Sequence, residues 1–67
     1  MTDGTADAVG RQVYFEFMPM GGSMRVTAID SLTAIEVVIL APVATPRADL
    51  ERLALRKLKN RLDREHA

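Results

Sequence analysis

The sequence predicts a small α+β fold: a three-stranded antiparallel meander, order 1-2-3, with one C-terminal helix packed on one face (β-β-β-α). Three observations predict it. Three runs between Val13 and Leu40 are rich in alternating or β-branched apolar residues. Two short breaks, Gly21-Gly22 and Ser31 to Ala34, separate those runs. From Pro46 to Arg64 apolar residues recur at spacings of three and four, and no Gly or Pro interrupts the run after Pro46.

Val13 to Met18 (VYFEFM) alternates, with Val13, Phe15 and Phe17 on one side and Tyr14, Glu16 and Met18 on the other. Gly21 and Gly22 can take the positive φ angles of a two-residue hairpin loop. Met24 to Asp30 then returns with Met24, Val26 and Ala28 on one face. A two-residue loop sets Phe17 opposite Val26 and Phe15 opposite Ala28, so pattern and turn agree. A four-residue loop, Ser31 to Ala34, sets Asp30 opposite Ile35, Ala28 opposite Val37 and Val26 opposite Ile39. Asp30 is suited to accept loop N–H groups. Pro42 cannot donate to a ladder and should end the third strand.

In the helix, Leu50, Leu53, Ala54, Leu58 and Leu62 form an apolar stripe, and Leu55 widens it, which predicts a broad buried face. Thr45 is the expected cap and Pro46 the expected first helical residue. Asp49 and Glu51 near the start, and Arg61 and Arg64 near the end, suit the helix dipole. The expected helix face of the sheet is Phe15, Phe17, Val26, Val37 and Ile39.

Met1 to Gly10 is Asp-, Gly-, Thr- and Ala-rich without a period, and reads as a flexible tail. Residues 11–67 read as a single domain. The tail lacks the basic start and apolar run of a secretory signal, and no segment reaches the roughly 20 apolar residues of a membrane span. The chain has no Cys, which fits a reducing compartment; the expected location is the cytoplasm, with no membrane contact. Nine basic residues balance nine acidic ones, so no global field points to nucleic acid.

The chemical inventory is thin. A catalytic site needs a nucleophile, base, metal or cofactor cradle in mutual reach. His66, the one imidazole, sits next to the last residue and reads as solvated. Glu16 and Glu36 share the outer face but fall in different cross-strand rows, and read as surface charges. Gly21-Gly22 lacks the further glycine of a dinucleotide fingerprint and the Lys-Ser/Thr of a phosphate loop. Met18, Met20 and Met24 read as gap fillers at one end of the core. No catalytic, cofactor or metal site is expected, and the chain reads as a non-enzyme.

Two surfaces remain. The outer sheet face carries Tyr14, Met18, Ile29, Val38 and Leu40 beside Glu16, Arg25, Thr27 and Glu36. The third strand, Ile35 to Leu40, is an edge with one charge and apolar groups on both faces, a composition that pairs with other chains unless blocked. A core of 67 residues rarely supplies more than about 3–5 kcal/mol unaided. Without disulfides, the expected staple is a homodimer through the outer face, the third-strand edge, or both; an unidentified protein partner is the other occupant. The alternative reading is nucleic-acid binding through Arg52, Arg56 and Lys59, which lie opposite the leucines.

The run VYFEFMPMGGSMRVTAIDSLTAIEVVILAP followed by RADLERLALRKLKNRL resembles a family of very short bacterial proteins carried as a domain of unknown function. The Phe-Glu-Phe strand, Val26 to Asp30, Glu36-Val37, Pro42 and Arg47 through Leu58 carry the resemblance. It implies no activity. In the family pattern a Gly stands where this chain has Ala34, the last position of the second loop. A left-handed residue is expected there, and Ala in that conformation costs about 1 kcal/mol.

Overall fold

In the computed structural model, which describes residues 4–8 and 11–65, alternation and turn chemistry produce four strands and a helix. They are β1 (Gly4–Ala8), β2 (Arg11–Met20), β3 (Ser23–Asp30), β4 (Glu36–Pro42) and α1 (Arg47–Glu65). All strands are antiparallel in the order β1-β2-β3-β4. The meander β2-β3-β4 with α1 on one face is the architecture predicted from the sequence.

Its register is also the predicted one. Phe17 lies opposite Val26, Phe15 opposite Ala28, Ala28 opposite Val37 and Val26 opposite Ile39. The first turn places Gly21 at φ 62°, the position where a two-residue hairpin turn demands a residue without Cβ. The second loop ends on Ala34 at φ 63°. Its ends are tied by Asp30 N–H donating to the Ile35 carbonyl and Ala34 N–H donating to the Asp30 carbonyl, both 2.9 Å.

The fourth strand corrects the reading of Gly4 to Ala8 as part of a tail; the rest of residues 1–10 lies outside the described residues. Gly4 to Ala8 pair with β2 from Phe15 back to Arg11. The segment lacks the aromatic and branched signature of a strand. Its pairing uses the backbone groups that β2 turns away from β3, which need a partner whatever the sequence beside them.

The core is Val13 and Phe15 of β2, Val26 and Ala28 of β3, Val37 of β4, and Leu50, Ala54, Leu58 and Leu62 of α1. Phe17, Met24, Ile35, Ile39 and Ala41 pack at its margin. Two expectations about the helix change. The buried stripe is a narrow one at spacing four, and Leu53 and Leu55 flank it at 42% and 38% exposure. The reason is width. A helix about 10 Å across covers about two strands at their ~4.8 Å spacing, and α1 packs on β3 and β4. The start also shifts by one residue: the Pro46 carbonyl accepts the N–H of Leu50 at 3.1 Å, so Pro46 rather than Thr45 takes the cap position. The Arg47 guanidinium lies 4.3 Å from the centroid of the Phe17 ring, which fixes the helix start near the hairpin end of β2. Met24 packs at the core margin, whereas Met18 and Met20 are exposed, so only one of the three methionines fills a gap.

One buried charge organises the second loop. Asp30 has no solvent exposure. Its Oδ2 accepts the Thr33 hydroxyl at 2.7 Å and the Thr33 N–H at 3.0 Å, and its Oδ1 lies 2.9 Å from Arg11 Nε. That ion pair joins the start of β2 to the end of β3, although its geometry falls outside that of a hydrogen bond. Burial pushes the Asp30 carboxyl up. The Thr33 hydroxyl and N–H, the Arg11 guanidinium and the Leu32 N–H together outweigh burial and hold it below its ordinary 3.8.

Two outcomes follow. Ala34→Gly removes the left-handed penalty and should stabilise the chain by about 0.5–1 kcal/mol, a rise of roughly 2–8 °C in Tm read by thermal circular dichroism. Because the folded carboxyl of Asp30 titrates below the unfolded one, its contribution is complete above the unfolded value. It is lost as pH falls below 3.8 through the lower folded value. Asp30→Asn should therefore cost about 1–3 kcal/mol at neutral pH and make the acid limb of urea stability shallower. An unchanged acid limb in that variant would contradict the assignment.

Candidate interaction surface

Alternation along the strands leaves a second sheet face opposite α1. Its rows follow from the register. Tyr14 stands beside Ile29 and Ile29 beside Glu36; Glu16 beside Thr27 and Thr27 beside Val38; Met18 beside Arg25 and Arg25 beside Leu40. All five apolar residues expected on this face belong to it. Tyr14, Ile29 and Val38 are half-buried by their neighbours, whereas Met18 and Leu40 are 54% and 67% exposed. The Tyr14 hydroxyl donates to Gln12 Oε1 at 2.8 Å, which holds the ring along its own strand. Tyr14 and Ile29 are cross-strand neighbours and Val38 and Leu40 share one side of β4, whereas Glu16, Thr27 and Arg25 separate Met18 from both pairs.

A shallow depression of about 210 Å³ on this face is lined by Glu16, Met18, Arg25, Thr27 and Glu36. Its two carboxylates stand on strands that are not neighbours, about 10 Å of backbone apart. That separation does not let them share a proton, so the depression presents mixed charge rather than an acid–base pair. Among the described residues no three His, Asp or Glu side chains cluster as a metal set would. His66 lies outside the described residues.

The free edge of β4 is less open than its sequence suggests. Val43 N–H donates to the Gly22 carbonyl and Asp30 N–H to the Ile35 carbonyl. Antiparallel alternation then turns the backbone groups of Glu36, Val38, Leu40 and Pro42 away from β3, toward the edge. Pro42 has no N–H to offer. The Val38 carbonyl accepts Lys57 Nζ at 2.7 Å. Lys57 was not singled out in the sequence, because its reach depends on where α1 lies across the sheet. Spacing alone does not reveal that offset.

The basic stripe is partly neutralised. Arg52 Nη1 lies 2.8 Å from Asp49 Oδ1, one helical turn away. Arg47 and Arg61 pair with Glu51 and Glu65 along the same helix. Arg56 and Lys59 remain without an ion pair among the described residues. Lys59 instead borders a groove of about 280 Å³ with Arg11, Val13, Leu55, Leu58 and Leu62, where α1 leaves β2 incompletely roofed. The groove is apolar, and it lacks the convergent polar groups that orient a small molecule. Among the described residues no helix is long and apolar enough to cross a membrane.

No curated protein and no solved structure matches the chain. A family profile does, over residues 10–65, which takes in β2, β3, β4 and α1 with both turns and the Lys57 contact. The chain belongs to the family described as a domain of unknown function, DUF6898.

Proposed function

We propose that this chain is a non-enzymatic, self-associating module whose outer sheet face meets the same face of a second copy. The observation that carries the reading is the set Tyr14, Met18, Ile29, Val38 and Leu40, interleaved with Glu16, Arg25 and Glu36, on the side of the sheet that no helix covers among the described residues. A second copy suits it because the face holds both signs of charge. In a two-fold arrangement Arg25 of one protomer can approach Glu16 or Glu36 of its partner.

Size sets the strength. Four strands at ~4.8 Å and about eight residues at ~3.3 Å give a face on the order of 500 Å². That is below the ~800 Å² per partner of a standard stable interface, so the dimer is weak and reversible. The absence of Cys supports a reducing compartment such as the cytoplasm. Nucleic-acid binding through Arg52, Arg56 and Lys59 has less support, since Arg52 is already engaged by Asp49.

Sedimentation equilibrium across the micromolar range should show a monomer of 7.4 kDa giving way to its dimer as concentration rises. Leu40→Lys should abolish that shift and change the stability of the monomer by about 0.5 kcal/mol or less, because the side chain is mostly exposed. A wild-type chain that stays monomeric throughout the range contradicts the reading.

A further inference from the structure

We propose that the free edge of β4 is a docking edge for β4 of a second copy, and that the Lys57 ammonium keeps it closed. The inference does not rest on association through the outer face.

The outward backbone groups form a self-complementary set. When β4 is laid antiparallel to itself about Val38, Glu36 stands opposite Leu40 of the second copy and Val38 opposite Val38. Each of these positions turns both N–H and C=O outward, so the three pairs can form about six ladder bonds. The strand carries one charged side chain, Glu36, and β-branched or apolar residues otherwise. Those properties make an edge join another edge. Pro42 ends the usable stretch, since it lacks the next N–H.

The Lys57 contact falls at the centre of that arrangement. Its Nζ occupies the Val38 carbonyl at 2.7 Å, the acceptor that the central pair needs. In a two-fold edge dimer the two Lys57 ammonium groups would also meet near the axis, where like charges repel. Removing the ammonium frees the acceptor and the charge together. Leu53, one turn before Lys57 on the same flank of α1, is 42% exposed and would be covered by the added strand.

The test is residue-resolved amide exchange on the full chain, run at low and high protein concentration. In the wild type the outward amides of Val38 and Leu40 should exchange without concentration-dependent protection. Lys57→Ala keeps a strong helix former at an exposed position and should fold normally. It should slow exchange at Val38 and Leu40 by about tenfold or more as concentration rises. Lys57→Arg retains a cationic donor and should behave as the wild type. Adding Glu36→Pro to Lys57→Ala removes an outward N–H at both outer pairs and spares the β3–β4 ladder. That double variant should lose the new protection. Lys57→Gln serves as a second neutral variant. If both neutral variants leave Val38 and Leu40 unprotected at every concentration, the proposal is overturned. Protection that survives Glu36→Pro overturns it equally.

Discussion

A helix covers about two strands of a sheet, because it is about 10 Å across and strands lie ~4.8 Å apart. This sheet has four strands and two faces, and α1 is the one helix among the described residues. Most features of the molecule follow from that mismatch. α1 lies on β3 and β4, so a groove remains over β2, between Val13 and the Leu55 and Leu62 flank. Its other flank reaches the β4 edge, which brings Lys57 to the Val38 carbonyl. Among the described residues no element roofs the apolar residues of the face opposite α1.

The fold nonetheless holds a precise register, and the second loop shows how. Ala34 adopts a left-handed conformation that costs a residue with Cβ about 1 kcal/mol. The loop is held by the Asp30 carboxylate, which gathers the Thr33 hydroxyl and N–H and faces Arg11. A buried carboxylate left without these groups would be far costlier than the strained alanine, so the loop conformation and the ion pair stand or fall together. Asp30 is thus structural: it has no exposed surface with which to meet a ligand. Arg11 ties the first residue of β2 to the same point, and β1 continues the sheet from β2.

Much of this was legible in the sequence because turn length and alternation are rigid constraints. Two loop residues between Met20 and Ser23 admit one pairing that keeps Phe15, Phe17, Val26 and Ala28 together, and the structure has it. Four loop residues imply a left-handed last position, and Ala34 occupies it. The outer-face residues were assigned correctly for the same reason. What escaped was lateral placement. Leu53 and Leu55 belong to the apolar stripe by spacing, yet they overhang because the helix is narrower than the stripe its leucines describe. Lys57 was unreadable as an edge cap without knowing that offset. Strand β1 escaped because Gly4 to Ala8 carry no strand signature, although they pair with β2. The Arg52–Asp49 pair was legible at spacing three, but counting basic residues by themselves concealed it.

The central claim is that the unroofed face, with its apolar residues interleaved with both signs of charge, is where this chain meets a copy of itself. Intermolecular NOEs in a mixture of isotopically labelled and unlabelled chains test it most directly. The account predicts cross-peaks between the methyl groups of Met18, Ile29, Val38 and Leu40 in one protomer and the same set in its partner. Cross-peaks confined to α1 and the groove beside it, or their absence from a dimeric sample, would contradict it.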